Sequence, residues 1–208
     1  MTPDAMKDLI VLVPDMDVEF VLRALLLRPT FLGIRRLAFD VFSHPLHDPA
    51  CAKKAPDFLR GFIRQYAYAL VCFDHEGSGS TLPAARLEEA VRDHLSRNGW
   101  ADRCDVVVFE PELESWLLID SPVVPRSLGW PQHFGSLKEW LIGQGFWEAG
   151  EHKSKRPKEG IMAVLRETRT PRSSSLYAEI ASQARPDRCE DRHFTKLRGT
   201  LVKWFGPK

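Results

Sequence analysis

The chain has 208 residues, 44% of them hydrophobic and 27% charged, and a net charge of +1. This length is enough for one well-formed core, and the composition is that of an ordinary globular protein. No run approaches the roughly 18 apolar residues that cross a membrane, and the first four residues lack the basic and then apolar pattern of a signal peptide. We therefore expect a cytoplasmic protein without a membrane partner.

The small net charge hides an asymmetry along the chain. Residues 1–150 contain 15 Lys and Arg against 21 Asp and Glu, whereas residues 151–208 contain 14 against 7. An acidic body with a basic C-terminal part could hold a metal ion in one part and a polyanion with the other. The alternative is that the two parts attract each other and pack together.

The four cysteines, Cys51, Cys72, Cys104 and Cys189, are far apart in the sequence and form no Cys-x-x-Cys pair. This spacing argues against a disulfide framework and against a four-cysteine zinc site. Cys72 and Cys104 fall inside predicted strands, where we expect them to be small buried apolar residues.

Strands and helices alternate over the first 120 residues. Apolar, β-rich runs predict strands at 9–13, 35–42, 67–73 and 105–109. Helical spacing of apolar residues predicts helices that begin near Val18 and extend over about 55–66 and 83–98. Such alternation is typical of an α/β fold with a mostly parallel sheet flanked by helices.

The pattern changes after Asp120, where Pro122, Pro125 and Pro131 interrupt the chain. Helices are predicted at about 137–144, 157–168, 174–184 and 191–204, and no strand is predicted there. We therefore divide the chain into an α/β core at 1–120 and a basic, helical C-terminal part at 121–208, which packs on the core as a cap.

Acidic side chains follow three of the predicted strands. The seven candidate metal ligands are Asp15 and Asp17 after the first strand, Asp74 and Glu76 after the third, and Glu110, Glu112 and Glu114 after the fourth. Because the carboxyl ends of parallel strands share one edge of the sheet, we expect these carboxylates to converge on Mg²⁺ or Mn²⁺. For a single acid, the alternative is a helix cap or an ordinary residue of a first helical turn.

The densest basic run of the chain is Lys153-Ser154-Lys155-Arg156-Pro157-Lys158. Half or more of the hydrogen bonds between proteins and nucleic acids go to phosphate and sugar. We therefore take Lys155, Arg156, Lys158 and the later Arg172 as candidate nucleic-acid contacts. The alternative is a solvated loop that precedes a helix.

Taken together, these motifs resemble those of TOPRIM-like domains over roughly residues 8–120. The chain is also similar to prokaryotic proteins related to overcoming-lysogenization-defect-type nucleases, some of which accompany phage-defence clusters, including methylation-associated defence systems. The matching stretches are Val13-Pro14-Asp15-Met16-Asp17, Phe73-Asp74-His75-Glu76-Gly77-Ser78-Gly79, Glu110-Pro111-Glu112-Leu113-Glu114-Ser115-Trp116 and Arg156-Pro157-Lys158-Glu159.

The resemblance implies a parallel, TOPRIM- or Rossmann-like sheet and a Mg²⁺- or Mn²⁺-dependent nuclease or phosphoryl-transfer protein of an anti-phage defence system. Its candidate catalytic residues here are Asp74, Glu76, Glu112 and Lys158, and its implied partners are nucleic acid and other defence-system proteins.

One departure from the TOPRIM pattern bears on activity. TOPRIM domains carry a catalytic Glu in a Glu-Gly pair after the first strand, whereas this chain has Pro14-Asp15 there. The second acid of the pair after the third strand is Glu76, where Asp is usual. The alternative function is therefore a non-catalytic subunit or scaffold of a multiprotein defence complex.

Overall fold

The computed structural model describes residues 6–151, 153–186 and 191–207. The first four residues, on which the signal-peptide argument rests, and Cys189 lie outside this range. The strands are β1 (Lys7–Val13), β2 (Phe39–Ser43), β3 (Tyr66–Asp74) and β4 (Cys104–Phe109). The α-helices are α1 (Met16–Leu26), α2 (Pro29–Leu32), α3 (His47–Leu59), α4 (Ala84–Leu95), α5 (Val123–Ser127), α6 (Leu137–Gly143), α7 (Pro157–Thr168), α8 (Ser174–Gln183) and α9 (Arg192–Phe205).

The four strands form one parallel sheet in the order β2-β1-β3-β4. This confirms the predicted α/β class. From β1 the chain goes to one neighbour, β2, and then crosses back to the other, β3. In open α/β sheets, ligands bind beyond the carboxyl ends of the strands at such a reversal. The topology therefore points to the edge where β1 and β3 end.

Helices cover both faces of the sheet because the strands are apolar on both sides. Leu9, Val11 and Val13 face one hydrophobic core, which also contains buried residues of α1, α7, α8 and α9. Ile10 and Leu12 face a second core with α3 and α4. All five of these β1 residues are fully buried.

The C-terminal helices form the predicted cap. Helix α9 buries Phe194, Leu197, Leu201 and Phe205 in the same core as the first face of β1. Trp204, near the end of α9, is only partly buried and stacks on Tyr68, with 4.7 Å between ring centroids. One isolated antiparallel bridge joins Ile119 to Lys153.

Helix α3 and strand β2 differ most from their predicted ranges: α3 spans His47–Leu59, against a predicted 55–66, and β2 spans Phe39–Ser43, against a predicted 35–42. Helix α3 begins at His47 and not near residue 55, because Pro49 lies in its first turn, where backbone N–H groups have no helical partner and proline is tolerated. Strand β2 begins at Phe39 and not at Arg35. The backbone N–H of Arg35 instead donates to the carbonyl of Phe205 at 3.1 Å, which ties this segment to the end of α9.

Charged side chains bind backbone groups on both outer strands. Glu88 of α4 accepts a hydrogen bond from the Val108 N–H of β4 at 2.9 Å, and Lys196 of α9 lies 2.8 Å from the same carboxylate. Arg23 of α1 donates to the Val41 carbonyl of β2 at 2.7 Å. Among the described residues, no helix is long and apolar enough to cross a membrane.

Candidate metal centre

Three carboxylates meet beyond the ends of β3 and β4. Asp74 is the last residue of β3, and Glu112 and Glu114 lie in the turn that follows β4. One oxygen atom from each residue lies within 4.8 Å of the others, so this acidic triad could hold a metal ion. Glu112 and Glu114 are 6% and 3% exposed, and Asp74 retains more exposure.

The local sequence explains how the two strand ends are joined. The Asp74 backbone pairs with Phe109 at the end of β4. The Asp74 Oδ1 atom then accepts a hydrogen bond from the Leu113 N–H at 2.9 Å, in the single-turn 3-10 helix Leu113–Trp116. An aspartate at the end of β3 thus holds in place the turn that carries the two glutamates.

The Glu112 side chain contacts the N-terminal turn of α7. Its Oε1 accepts from the backbone N–H of Lys158 at 3.2 Å, and its Oε2 lies 3.3 Å from the Lys158 Nζ. The first turn of a helix has unpaired N–H groups and a partial positive charge, which favours a carboxylate. Pro157 at the first helical position fits this site because it has no N–H to leave unpaired.

Glu114 is held by α8. The buried Tyr177 hydroxyl donates to its Oε1 at 3.1 Å. The Arg172 guanidinium lies 5.4 Å from the Tyr177 ring centroid and pairs with Asp17. The C-terminal part therefore supplies partners to two members of the acidic triad.

Burial and like-charge repulsion raise the pKa of two carboxyl groups of the triad, Asp74 and Glu114. Burial, followed by the neighbouring Glu114 and Asp48 carboxylates, raises the pKa of Asp74 to about 8. Burial, followed by Glu112, raises the pKa of Glu114 to about 7. Burial alone would lower the pKa of Lys158, but Glu114 and Glu112 raise it. One ammonium group thus faces three carboxylates, which a divalent cation would neutralise further.

A fourth acid, Asp48, supports the triad from the first turn of α3. Its Oδ1 accepts from the Asp74 backbone N–H at 2.9 Å, and burial raises its pKa. A Cβ atom at Gly77 would lie 2.6 Å from its Oδ2, so the loop after β3 approaches this carboxylate as closely as only glycine allows. Sequence analysis missed Asp48 because a loop separates it from the end of β2 and because it precedes a proline.

The other four predicted ligands lie outside the triad. Asp15 caps α1 and accepts from the N–H groups of Asp17 and Val18 at 2.9 and 3.0 Å. Asp17 pairs with Arg172 and accepts from the Ser174 hydroxyl at 2.5 Å. Glu76 is exposed in the turn after β3.

Glu110 is also separate from the triad. Its side chain is 45% exposed and lies 3.4 Å from the Nε2 atom of the buried His193. The structure thus brings together three of the seven predicted ligands, and it adds Asp48 of α3, which accepts a hydrogen bond from the Asp74 backbone.

Of the four predicted nucleic-acid contacts, Lys158 is the one that reaches the triad in the described structure. Lys155 is exposed and lies 2.8 Å from Glu148, and Arg156 lies 3.2 Å from Glu159. Arg172 is engaged by Asp17. These three cations are therefore available to a polyanion only in competition with acids of the chain.

Comparisons with known proteins identify no relative: no family model matches the chain, and no curated protein or solved structure matches it.

Proposed function

We propose that the chain is a Mg²⁺- or Mn²⁺-dependent phosphodiesterase acting on nucleic acid, that is, a nuclease. The observation that carries this proposal is the acidic triad of Asp74, Glu112 and Glu114 at the carboxyl edge of a parallel sheet. A group of this kind is costly for a fold to maintain, because buried like charges repel one another. A bound cation would offset this repulsion, so metal binding accounts for the clustering of the three carboxylates.

The residues present fit a hard divalent cation. Asp74, Glu112 and Glu114 would hold it with carboxylate oxygens, the ligand type that Mg²⁺ and Mn²⁺ prefer. Among the described residues, the cluster includes no nitrogen or sulfur ligand. When bound, such a cation supplies Lewis-acid stabilisation of the negative charge that develops on a phosphate during cleavage.

Three other residues of the chain have defined roles in the proposed site. The Lys158 side chain is 49% exposed, so its ammonium can contact a substrate phosphate while it remains beside Glu112. The Tyr177 hydroxyl fixes the orientation of Glu114, and Asp48 fixes the backbone at Asp74. Lys158 is thus the phosphate-binding residue, and Tyr177 and Asp48 are positioning residues.

Nucleic acid is the favoured substrate class because of the charge around the site. Lys158 lies at the start of α7, next to Lys155 and Arg156, in the basic part of the chain. Extended polyanions gain from several such contacts at once, whereas a single phosphate does not. The resemblance to defence-associated nucleases suggests phage defence as the biological setting.

The direct test is cleavage of labelled single- and double-stranded DNA and RNA with Mn²⁺, Mg²⁺ or a chelator. We expect cation-dependent cleavage by the wild-type protein and at least a hundredfold lower rate for Asp74→Asn, in line with the loss of one electrostatic catalytic group. Glu89→Gln is the matched control, because Glu89 is an exposed acid on α4 that pairs with Arg86. Equal cleavage by Asp74→Asn and Glu89→Gln would refute the assignment.

A second function is a non-catalytic subunit of a defence complex, and one observation favours it. Asp15, the acid after the first strand, is committed to capping α1 and does not join the triad. The position where TOPRIM domains carry their catalytic Glu therefore contributes no carboxylate to the site. Stable association with another defence protein, without cleavage of any of the four substrates, would support this function.

A further inference from the structure

A cavity is lined by the last residues of the α/β core and by the first part of the C-terminal part, and no residue of the acidic triad belongs to its lining. Its volume is about 880 Å³, and its lining residues all lie between Leu118 and Trp147. None of the seven predicted metal ligands contributes to the lining. Small-molecule sites typically occupy roughly 300–1,000 Å³, so this cavity has the size of a ligand site.

Two fixed indole rings contribute to the cavity walls. Trp130 Nε1 donates to the Gly135 carbonyl at 3.0 Å, and Trp147 Nε1 donates to the Glu151 carbonyl at 3.0 Å. Because both N–H groups are satisfied within the protein, the rings offer ordered apolar surface to a ligand at little further entropic cost.

The aliphatic part of the lining is equally well ordered. The buried side chains of Leu118 and Leu141, each 1% exposed, contribute to it. Indole and leucine surfaces favour a flat, apolar ligand body.

The charged groups of the lining have an excess of positive charge. Arg126 and Lys138 line the cavity together with a single acid, Asp120. Lys138 Nζ lies 3.1 Å from Asp120 and 5.2 Å from the Trp147 ring centroid. Arg126 donates to the neutral Gln183 side chain at 2.5 Å, and no ion pair to Arg126 occurs among the described residues. Arg126 therefore has no counter-charge within the part of the chain that the structure describes.

We propose that this cavity is a binding site for a small aromatic monoanion. The aromatic body lies against the indole and leucine surfaces, and the acidic group faces Arg126 and Lys138. This site is independent of the proposed nuclease activity, because it shares no residue with the triad.

The probe that tests the proposal is 1-anilinonaphthalene-8-sulfonate, a flat aromatic monoanion whose fluorescence rises in apolar surroundings. Its matched neutral counterpart is N-phenyl-1-naphthylamine, which has the same ring body without the sulfonate. We expect the folded protein to bind one sulfonate probe per chain, with energy transfer from tryptophan, and to bind it about tenfold more tightly than the neutral probe. Equal affinity for the two probes, or no binding to the folded protein, would overturn the proposal.

Variants separate the charge contribution from the shape of the cavity. Arg126→Gln with Lys138→Met is expected to weaken the sulfonate probe about tenfold and to leave the neutral probe unchanged, whereas Lys53→Met, at an exposed lysine of α3, changes neither. Ser121→Trp places a bulky ring in the lining and is expected to weaken both probes. If both cavity variants bind the probes as the wild type does, the site lies elsewhere and the proposal fails.

One more variant distinguishes this site from the triad. Asp74→Asn is expected to bind both probes like the wild type, whether or not the nuclease assignment holds. A loss of probe binding in Asp74→Asn would contradict the independence of the two sites.

Discussion

Asp74 shows at the scale of one residue how the proposed function opposes stability. Its carboxylate is crowded by Glu114 and Asp48, and these neighbours together with burial favour its neutral form. The hydrogen bond from the Leu113 N–H can be kept by an asparagine, whose amide oxygen also accepts. Stability and metal binding should therefore respond in opposite directions to Asp74→Asn.

In buffer with chelator, we expect Asp74→Asn to unfold at the same urea concentration as the wild type or a higher one. Added Mn²⁺ at a hundredfold excess over its dissociation constant should stabilise the wild type by about 2.7 kcal/mol and the variant by much less, because a ligand that binds only the folded state stabilises it by mass action. Urea titrations followed by tryptophan fluorescence measure both effects, with Glu89→Gln as the control expected to behave as wild type. A variant that gains as much from Mn²⁺ as the wild type would remove Asp74 from the metal site.

At the scale of elements, α9 depends on one buried acid for its start and its position. The Asp191 carboxylate accepts from the N–H groups of His193 and Phe194 at 2.9 and 3.0 Å, and from the Trp116 indole at 3.1 Å. Lys153 lies 3.1 Å away. Burial alone would raise the pKa of Asp191, but the Phe194 N–H and the Lys153 ammonium lower it below the usual value.

This shift predicts the pH dependence of an Asp191→Asn variant. A carboxylate with a lowered pKa in the folded state stabilises the protein above its unfolded value of about 3.9, and that contribution is lost as the pH falls through the folded value. Asparagine caps a helix well, so we expect a loss of about 1 kcal/mol at pH 7 from the missing charge. The difference between variant and wild type should shrink below about pH 4.

Urea unfolding at a series of pH values checks this prediction, and Asp93→Asn, at an exposed acid of α4, serves as control. A gap between Asp191→Asn and the wild type that stays constant down to pH 2.5, roughly one unit or more below the usual carboxyl range, would show that charge at Asp191 does not contribute.

Helices and strands with regularly spaced apolar residues could be predicted from the sequence. Element boundaries that depend on individual tertiary contacts could not. Strand β1 and helix α7 carry their burial pattern in their own residues, and the structure confirms both. The start of α3 could not be predicted in the same way, because His47, Asp48 and Pro49 are typical turn formers. In the structure, His47 and Asp48 contact the chain at the ends of β1 and β3.

The residues of the candidate site could likewise be predicted only in part. Asp74, Glu112 and Glu114 were recognisable because they follow strands of a parallel sheet. The sequence did not show that Asp15 and Glu76 would lie apart from these three residues. Whether an acid after a strand caps a helix, faces solvent or enters the site depends on the path of the backbone over the next few residues. Proximity in sequence to a strand end thus identifies candidates but not which of them converge.

At the scale of the whole molecule, the acidic body and the basic C-terminal part pack together, as the second reading of the charge asymmetry predicted. Ion pairs join them between Glu112 and Lys158, Asp17 and Arg172, and Glu88 and Lys196. The hydrophobic core on the first face of β1 is built from residues of both parts.

We therefore expect a chain truncated after residue 120 not to fold cooperatively. Loss of α9 alone removes four buried apolar side chains from the core, each contributing roughly 1.5–3 kcal/mol. That sum is comparable with the total stability of about 5–15 kcal/mol of a typical domain. Near-ultraviolet circular dichroism of residues 1–120 against the full chain tests this expectation, and a native-like spectrum with a sharp unfolding transition for the fragment would show that the first part is an independent domain.

The contacts of Glu88 and Arg23 with the outer strands have a consequence for association between copies of the chain. An outer strand with free backbone groups is a template onto which a strand of another molecule can add, and repeated addition leads to aggregates. Here a carboxylate occupies the Val108 N–H on one side of the sheet, and a guanidinium occupies the Val41 carbonyl on the other. Each contact occupies one backbone group that an incoming strand would use and places a charged side chain beside it, which disfavours the addition of a strand at these positions.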